Sequence, residues 1–490
     1  MKKTSSPNAV ICPHTLTRRS LVAGMTSAAF GLCACEIGRA QAAIGVRVVV
    51  DDHLAGTQIP SDFIGLSYES AILAGGDYFT PSNTSLLGLI RLLGPNGVIR
   101  VGGNTSERTI WRVRDEPAPP GSLVLTPTSI DRLAAVLRML GWKLIYGLNL
   151  ASGTPQAAAE EAAYVARVVG ADLLAFQIGN EPDGFGRWTA VRPKTYDVPA
   201  YLTEWDSFRA AVRARVPEAR FAGPDVASET AWVAALAEKA PDGLVLLTRH
   251  YYAEGPAGAP QVSLGKLLRS DQEIASVLEQ LARAGRTHHL PFRITEANSV
   301  YNEGQRGVSD TLGAALWGLE LMFQLAAAGA AGVNFHAGVH NLRAGEDKAY
   351  TPIARSGGGY RAAALYYGML AFAQAARGAL VPVRVVPATP DVRAYAVRAA
   401  DGALRVVVIN KDGQNDLRLR IDPGRDRASG AVLTWLAGPG LDATAGVMLG
   451  GASVDDVGGW TPAHQEAPVT DAGIAIGLPA ASAVVVTVRR

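Results

Sequence analysis

Cysteine is almost absent from this sequence. Its three cysteines, Cys12, Cys33 and Cys35, all lie within the first 42 residues, so the rest of the chain contains none. This excludes disulfide bonds and thiol chemistry from the remainder, whose stability must come from the burial of a core.

A strong net charge is also absent. The first 42 residues hold five of the 46 basic and one of the 44 acidic residues, which leaves a net charge of −2 on the remainder. Nothing in this balance indicates a nucleic-acid partner. The apolar stretch at residues 21–35 is too short to span a membrane as a helix. The chain shows no metal-ligand cluster, glycine-rich phosphate loop or other cofactor fingerprint, so we expect neither a metal nor a cofactor.

Basic residues precede that apolar stretch, which is typical of an export signal. Thr17-Arg18-Arg19-Ser20-Leu21-Val22 resembles a twin-arginine signal, and Ala40-Gln41-Ala42 is a small-x-small cleavage site. We predict that residues 1–42 direct export to the periplasm or the medium of a bacterium. The alternative is a lipoprotein processing site at Leu32-Cys33-Ala34-Cys35, which would leave Cys35 lipidated.

What the chain does contain is an alternation of short apolar runs with longer alanine-rich segments of helical periodicity. Eight such runs are predicted strands: residues 63–66, 98–101, 144–148, 173–178, 220–223, 244–247, 292–294 and 332–335. Eight strands alternating with helices predict a (β/α)₈ barrel over residues 61–376. A doubly wound sheet is the alternative, but the glycine-rich loop that normally follows its first strand is missing.

The sequence pattern changes near residue 380, where short runs rich in β-branched residues are separated by turn residues. This pattern predicts an antiparallel β-sandwich over residues 377–490. Residues 43–60 contain another such run before the barrel, and we predict that it adds a strand to the sandwich.

Polar residues follow five of the predicted barrel strands, at the ends where barrel active sites lie. They are Tyr68-Glu69, Gly102-Gly103-Asn104, Asn180-Glu181, His250-Tyr251-Tyr252 and Thr295-Glu296-Ala297-Asn298. Gly179-Asn180-Glu181-Pro182 sets a carboxylate beside an amide in a turn. Glu296 supplies the second carboxylate that glycoside hydrolysis requires.

These segments resemble glycoside hydrolase family 79, the β-glucuronidase and heparanase family of retaining barrel glycosidases. The matching motifs occur in the same order along the chain: Gly65-Leu66-Ser67-Tyr68-Glu69, Arg100-Val101-Gly102-Gly103-Asn104-Thr105, Gln177-Ile178-Gly179-Asn180-Glu181-Pro182, His250-Tyr251-Tyr252, Ile294-Thr295-Glu296-Ala297-Asn298-Ser299 and Asn334-Phe335-His336-Ala337-Gly338. The β-sandwich after the barrel is also a feature of this family.

The resemblance implies that Glu181 is the general acid/base and Glu296 the nucleophile. The physical logic agrees, because strands four and seven face each other across the barrel mouth and a retaining enzyme needs its carboxyl groups about 5–5.5 Å apart. Arg100 is the cation expected to keep the pKa of Glu296 low. His250 is either a supporting ligand contact or a core histidine, and His336 has the same two interpretations.

The resemblance also implies contacts with the sugar. Asn180 would bind its 2-hydroxyl, Glu69 would bind hydroxyls at the non-reducing end, and Asn104 lies at the same rim. Tyr251 would orient the nucleophile, with Tyr252 as the alternative because one of the pair must point into the barrel wall.

A 6-carboxylate would be bound by Tyr301, the backbone at Gly304, and Tyr350. Glu303 stands where the family usually has glycine, and its charge would repel a uronate unless it points to solvent. Arg306 and Lys348 are nearby in sequence, either as carboxylate partners or as solvated loop cations.

We therefore predict a retaining exo-β-glucuronidase that acts on carbohydrates with terminal β-linked glucuronic acid. The alternatives are a heparanase-like endo-β-glucuronidase, a related barrel glycosidase acting on a neutral sugar and, outside the enzymes, a carbohydrate-binding scaffold. A cleft lined with cations would favour the endo-enzyme, and the near-neutral charge does not indicate one.

Overall fold

A computed structural model of the protein describes residues 44–51, 56–114, 123–338, 347–424, 428–470 and 472–489. The predicted export signal, including Cys35, lies outside these residues. Within the described ranges, no helix is both long enough and apolar enough to cross a bilayer.

The strands and helices follow one another along the chain with short connections. The strands are β1 (Ile44–Val50), β2 (Thr57–Gln58), β3 (Ile64–Glu69), β4 (Val98–Gly102), β5 (Thr109–Trp111), β6 (Leu123–Leu125), β7 (Lys143–Leu148), β8 (Leu173–Ile178), β9 (Phe221–Val226), β10 (Leu244–Glu254), β11 (Phe292–Val300), β12 (Gly332–His336), β13 (Ile353–Ser356), β14 (Gly359–Ala362), β15 (Gly378–Val381), β16 (Val383–Val386), β17 (Val392–Ala399), β18 (Leu404–Asn410), β19 (Leu417–Asp422), β20 (Gly430–Ala437), β21 (Met448–Leu449), β22 (Gln465–Ala467), β23 (Val469–Thr470), β24 (Gly473–Leu478) and β25 (Ser482–Arg489). The α-helices are α1 (Ala71–Ala74), α2 (Thr84–Leu93), α3 (Pro127–Leu140), α4 (Pro155–Val169), α5 (Val198–Arg215), α6 (Thr230–Lys239), α7 (Leu264–Leu267), α8 (Asp271–His288), α9 (Leu312–Ala327) and α10 (Ala364–Ala375). Short 3₁₀ helices occupy Ser106–Arg108, Gly170–Asp172 and Pro182–Gly184.

Eight strands close a parallel barrel. Their order around it is β3, β4, β7, β8, β9, β10, β11 and β12, and each is followed by a helix. Each of the eight predicted runs falls on one of these strands. The (β/α)₈ barrel is therefore confirmed, and its closure rules out the open doubly wound sheet.

Threonine–proline pairs start two of the barrel helices. At α3 and α4 the threonine before the helix accepts a hydrogen bond in its first turn, and proline fills the first helical position. Proline suits that position because its missing N–H has no helical partner there. Helices α3 and α4 therefore begin at the barrel mouth, and the residues just before each helix lie at its rim.

Strands β10 and β11 extend further than the apolar runs that predicted them. Glu296 therefore lies within β11 and not in the loop after it. The register between the two strands shifts between Arg249 and His250, so that His250 faces Glu296. A bulge of this kind redirects the side chains that follow it.

The C-terminal strands form two packed sheets. One sheet has the order β16, β1, β19, β24, β23, and the other has the order β2, β15, β17, β18, β25, β20, β21, with β22 also on β20. Valines and leucines of both sheets share one buried cluster. β1 joins the first sheet antiparallel to β16 and parallel to β19, so the sandwich is not wholly antiparallel.

The sandwich packs on the last barrel helices. The Phe323 ring on α9 stacks on Tyr395 of β17 with centroids 4.6 Å apart, and Lys411 Nζ lies 2.9 Å from Glu320 Oε2. The barrel helix α10 ends at Ala375, and strand β15 of the sandwich begins at Gly378.

Candidate active site at the barrel mouth

A cavity of about 1930 Å³ opens at the carboxyl ends of the barrel strands. It is lined by eight of the predicted site residues: Glu69, Asn104, Asn180, Glu181, Tyr251, Glu296, Tyr301 and Tyr350. Arg100 and His250 lie fully buried behind this lining. The structure thus brings residues from distant parts of the chain to one chamber.

Glu296 is held by three side chains. Its Oε2 accepts a hydrogen bond of 2.7 Å from Arg100 Nη1, its Oε1 accepts one of 2.7 Å from the Tyr252 hydroxyl, and His336 Nδ1 lies 3.2 Å from Oε1. Burial alone would raise the pKa of Glu296. The imidazoles of His336 and His250 and the Arg100 guanidinium outweigh burial and hold this pKa well below its usual range.

The hydroxyl that contacts Glu296 belongs to Tyr252, which corrects the assignment of Tyr251. Side chains alternate between the two faces of a strand, so the residue that shares a face with His250 is Tyr252. Tyr251 is 7% exposed and packs in the hydrophobic cluster of the barrel wall.

Arg100 connects the nucleophile candidate to the rest of the site. Its Nη2 donates to Asn180 Oδ1 at 2.7 Å and to Asp225 Oδ2 at 2.5 Å. Asp225 also accepts hydrogen bonds of 2.5 Å from Gln177 and Thr295. Burial opposes ionisation of Asp225, but Arg100 and His250 lower its pKa, so it remains charged.

Sequence reasoning missed Asp225, although a signal for it existed. It follows the fifth predicted strand in Gly223-Pro224-Asp225, and it has φ 61°, a left-handed conformation that tolerates aspartate. Polar residues after five other predicted strands are candidate site residues, and the same rule applied to the fifth strand points to Asp225.

Glu181 sits at a sharp turn. It has φ 49° and ψ 49° and precedes the 3₁₀ helix Pro182–Gly184, while Gly179 before it has φ 86°. Such a left-handed glutamate is uncommon and marks a position that the surrounding structure imposes. The Glu181 N–H donates to the Asp225 carbonyl at 2.9 Å, which fixes this turn to β9.

The side chain of Glu181 contacts His250. The distance from its Oε1 to His250 Nδ1 is 2.9 Å, and His250 Nε2 lies 3.2 Å from Asp225 Oδ2. Burial opposes a charged imidazole, but Asp225 and Glu296 raise the pKa of His250 to about 10. Burial raises the pKa of Glu181, the hydrogen bond from His250 partly offsets this, and the charge of Glu296 adds to it.

Carboxylate and imidazole atoms of Glu181, His250 and Glu296 all lie within 4.8 Å of one another. Among the described residues this is the one group with spacing suited to a metal ion. A protonated imidazole has no lone pair to offer a metal, so His250 in this state is a proton donor and not a ligand. The arrangement fits proton chemistry between two carboxyl groups.

A further buried carboxylate, that of Glu107, shapes the loop before Glu181. It accepts hydrogen bonds from the backbone N–H groups of Leu150 at 2.9 Å, Ala151 at 2.6 Å and Asn180. Burial raises the pKa of Glu107 to about 7 despite these donors. Glu107 lies in a 3₁₀ helix beyond β4, where no strand-end rule points to it.

Both polar atoms of the Asn180 side-chain amide form hydrogen bonds. Its Oδ1 accepts from Arg100, and its Nδ2 donates to Asn104 Oδ1 at 3.4 Å. The amide therefore has a fixed orientation, with its nitrogen on the cavity side of Arg100.

One wall of the cavity combines Glu69, His336, Lys348 and Tyr350. Glu69 Oε2 accepts from the Thr105 N–H and hydroxyl at 2.8 and 2.7 Å. His336 Nε2 lies 3.0 Å from Lys348 Nζ, and His336 Nδ1 lies 3.1 Å from the Tyr350 hydroxyl. This cluster, which we call the Lys348 wall, joins Glu296 through His336.

Lys348 and Arg306, which lie close in the sequence to Tyr350 and Gly304 respectively, differ sharply in burial. Lys348 is 6% exposed and lines the cavity. Arg306 is exposed and binds Asp310 and the Asp347 carbonyl outside it. Burial lowers the pKa of Lys348, against the charges of Glu69 and Glu296.

The loop after β11 turns with three consecutive positive φ angles, at Asn302, Glu303 and Gly304. Tyr301 is 41% exposed and lies edge-on to Tyr252 with ring centroids 6.3 Å apart. Glu303 also lines the cavity, and its carbonyl accepts from Ala349 N at 2.7 Å. Gly304 sits against the Tyr350 backbone, where a Cβ would come within 2.7 Å of its nitrogen.

Comparisons with known proteins give relatives over most of the chain. A β-glucuronidase of Aspergillus niger is 27% identical over 443 residues, which cover 81% of this chain and 80% of that protein. A β-glucuronidase of Neurospora crassa is 24% identical over 428 residues, which cover 76% and 75%. No family model matches the chain.

Solved structures share the fold. A 4-O-α-L-rhamnosyl-β-D-glucuronidase of Fusarium oxysporum 12S, solved as a Rha-GlcA complex, has a TM-score of 0.76 and 19% identity, and it covers 90% of this chain and 100% of its own. A family GH51 arabinofuranosidase of Xanthomonas axonopodis pv. citri has a TM-score of 0.66 and 15% identity over 91% and 100%. A barrel with an additional β-sandwich is thus common to these glycoside hydrolases and this chain.

Proposed function

We propose that the protein is a retaining β-glucuronidase of glycoside hydrolase family 79, which removes terminal glucuronic acid from oligosaccharides or glycoconjugates. The observation that carries the proposal is the pair Glu181 and Glu296. An oxygen of one lies within 4.8 Å of an oxygen of the other, and their pKa values are shifted in opposite directions. This spacing supports the retaining class, because inverting enzymes separate their carboxyl groups by about 6.5–9.5 Å.

In the first step, Glu296 attacks the anomeric carbon while Glu181 gives its proton to the glycosidic oxygen. The C1–O bond breaks, and a glycosyl ester of Glu296 forms. Arg100 and Tyr252 hold the Glu296 carboxylate in the charged form that attack requires. Burial raises the pKa of Glu181, which favours the protonated form that gives its proton to the leaving oxygen.

In the second step, Glu181 is ionised and takes a proton from water, which attacks the same carbon, and the bond from that carbon to Glu296 breaks to release the carboxylate. The ester formation has removed the negative charge of Glu296, and that charge is one of the causes that raise the pKa of Glu181. Its loss therefore favours ionised Glu181 when a base is needed. The protonated His250 beside Glu181 also stabilises that carboxylate.

Recognition of a uronate is supported by the Lys348 wall. A buried ammonium group faces the cavity beside the hydroxyl of Tyr350, and Tyr301 lies across Tyr252 from it. An ionised 6-carboxylate would replace the water that Lys348 has lost on burial. Glu69, fixed by Thr105, would bind sugar hydroxyls beside it. The names of the two fungal relatives and of the Fusarium enzyme also support glucuronic acid as the sugar.

We also propose that residues 1–42 direct export to the periplasm or the medium by the twin-arginine route. The support is the motif at Thr17-Arg18-Arg19-Ser20-Leu21-Val22 and the cleavage site at Ala40-Gln41-Ala42. Lipidation at Cys35 is the alternative, and mass spectrometry of the exported protein would distinguish a soluble chain that begins at Ala43 from a lipidated one.

The decisive experiment compares an aryl β-glucuronide with the matched aryl β-glucoside. The wild-type protein should hydrolyse the glucuronide faster, and NMR should show the β-anomer as first product. Product analysis with an internal glucuronide polymer then separates exo from endo cleavage. Release of neither sugar would contradict the proposal, and faster release of glucose would favour the neutral-sugar enzyme.

Lys348→Met tests the basis of uronate recognition. We expect the ratio of kcat/KM for glucuronide over glucoside to fall roughly 10- to 100-fold, because a charged hydrogen bond contributes about 1.5–3 kcal/mol. Arg306→Met is the matched control, because Arg306 is a cation of the same region outside the cavity. An unchanged ratio in Lys348→Met would show that another group binds the carboxylate.

A further inference from the structure

Trp188 is the most exposed of the eight tryptophans of the chain, and the other seven are buried or partly buried. Its exposed fraction is 53%, and the side chain lines the active-site cavity. Four of the large apolar residues that the described surface exposes line this same cavity: Ile110, Trp188, Val191 and Tyr301. Exposed apolar surface of this kind, gathered at a cavity, marks a site where a ligand packs.

The backbone beside Glu181 holds the indole in place. The Trp188 ring packs against the Cα of Gly184, where a methyl group would overlap it, and the Trp188 backbone N–H donates to the Gly184 carbonyl at 3.1 Å. Gly184 ends the short helix that begins directly after Glu181. The position of the tryptophan is therefore tied to the acid/base residue by a few residues of ordered backbone.

This connection places Trp188 on the leaving-group side of the scissile bond. Glu181 must contact the glycosidic oxygen in order to protonate it, so the group attached to that oxygen lies beyond Glu181, away from the Lys348 wall. Trp188, Thr189 and Val191 line the cavity on the segment that follows Glu181. Lys348 and Tyr350, in contrast, come from the chain after β12.

We propose that Trp188 is the platform of a leaving-group subsite that binds a pyranose ring. This inference rests on the proposed function. A pyranose presents an apolar C–H face and a rim of hydroxyls, and the cavity around the indole offers both kinds of surface: Ile110 and Val191 are apolar, whereas Ser152 and Thr189 carry hydroxyls. The Ser152 hydroxyl donates to the Glu107 carbonyl at 2.8 Å and the Thr189 hydroxyl to the Gly184 carbonyl at 3.2 Å, and each oxygen keeps a lone pair to which a sugar hydroxyl can donate.

The same subsite would admit a sugar acceptor in the second half of the reaction. A hydroxyl oxygen of the acceptor attacks the anomeric carbon, its proton goes to Glu181, and the bond from that carbon to Glu296 breaks. The product is a new glycoside, and Glu181 and Glu296 return to their starting states. Sugars bound on Trp188 would therefore compete with water for the glycosyl-enzyme.

The test compares two substrates with the same glucuronyl group. β-Glucuronyl fluoride has no ring in the leaving-group subsite, whereas a β-glucuronyl disaccharide fills it. We expect Trp188→Ala to lower kcat/KM for the disaccharide roughly 5- to 30-fold more than for the fluoride. Gly184→Ala, which keeps the indole but displaces it, should cause a selective loss in the same direction.

Trp435→Ala is the control, because Trp435 is a partly exposed tryptophan of the sandwich that binds Gln465. If Trp188→Ala behaves like this control on both substrates, the subsite is wrong while the proposed function stands. If an aryl glucuronide suffers more than the disaccharide, the site takes aromatic aglycones and the pyranose assignment falls. If the wild-type protein cleaves neither glucuronide, the proposed function itself fails.

The acceptor step has its own readout. With glucuronyl fluoride as donor and a free saccharide as acceptor, the wild-type protein should form a transfer product, and Trp188→Ala should form less of it relative to hydrolysis. An equal ratio of transfer to hydrolysis in both proteins would contradict an acceptor site on Trp188.

Discussion

The surroundings of the two central glutamates are opposite in character. Around Glu296, side chains from three other strands, Arg100, Tyr252 and His336, meet both carboxylate oxygens, and 6% of the side chain is exposed. Around Glu181, the backbone takes a left-handed turn, His250 contacts one oxygen, and 17% of the side chain is exposed to the cavity.

The difference indicates that Glu296 keeps a fixed negative charge, whereas Glu181 exchanges a proton. Dense donors around Glu296 stabilise one ionisation state and one orientation, as a nucleophile requires. Glu181 has to change its ionisation state twice in each cycle, so a carboxyl group with one hydrogen-bonded side-chain partner and access to the cavity suits it better. The two regions can therefore be tested by removing one element at a time.

The largest effect is expected for Glu296→Gln. The amide keeps the shape of the side chain but cannot form the glycosyl ester, so kcat should fall roughly 10⁴- to 10⁶-fold for every leaving group. Steady-state rates with glucuronyl fluoride and with a disaccharide measure this. Circular dichroism serves as the control for folding. A variant that still turns over either substrate at a large share of the wild-type rate would remove Glu296 from the nucleophile role.

The effect of Glu181→Gln should depend on the leaving group. For a disaccharide, whose leaving oxygen needs a proton, the loss should be about 10²- to 10⁴-fold. For glucuronyl fluoride the first step needs no such proton, so the loss in kcat/KM, which reports that step alone, should be much smaller there. Equal losses on both substrates would show that Glu181 has no acid role and would break the contrast between the two glutamates.

The pairing of Glu181 with Glu296 was predictable because strand ends of a parallel barrel meet at one rim. The apolar runs predicted all eight strands, and the polar residues after them include both glutamates and Asn180 of the cavity lining. The choice between Tyr251 and Tyr252 was not predictable from the runs alone. It depends on which face of β10 turns inward, and the contacts of His250 with Glu181 and of Tyr252 with Glu296 show that these two residues share that face.

Other parts of the site depend on contacts between distant segments. Lys348 and Arg306 look alike in the sequence, yet one is buried in the cavity wall and the other is exposed. Glu107 binds three backbone N–H groups from loops that lie 43 to 73 residues further along the chain. A local sequence pattern cannot predict contacts between residues so far apart in the chain. Asp225, in contrast, follows a predicted strand and was predictable by the strand-end rule.

A smaller effect is expected from the tyrosine pair. Tyr252→Phe removes the hydroxyl that donates to Glu296 at 2.7 Å, and kcat should fall roughly 10- to 100-fold, since hydrogen bonds to charged groups contribute about 1.5–3 kcal/mol. Tyr251→Phe is the matched change in the neighbouring residue on the other face of β10, and its loss should be clearly smaller. The reverse order of the two losses would restore Tyr251 as the residue that orients the nucleophile.

The smallest effect, a gradual one, comes from changing the pH of the wild-type protein. Because the pKa of Glu296 lies well below its ordinary value, kcat/KM should persist as the pH falls through the range where a free glutamate gains its proton. Because the pKa of Glu181 is raised, kcat/KM should stay high above that range and then decline with rising pH as Glu181 loses its proton. Far-UV circular dichroism at each pH separates this decline from unfolding. A profile that instead falls on the acid side near the ordinary glutamate pKa, with no alkaline decline, would mean that the two glutamates are not held in opposite ionisation states.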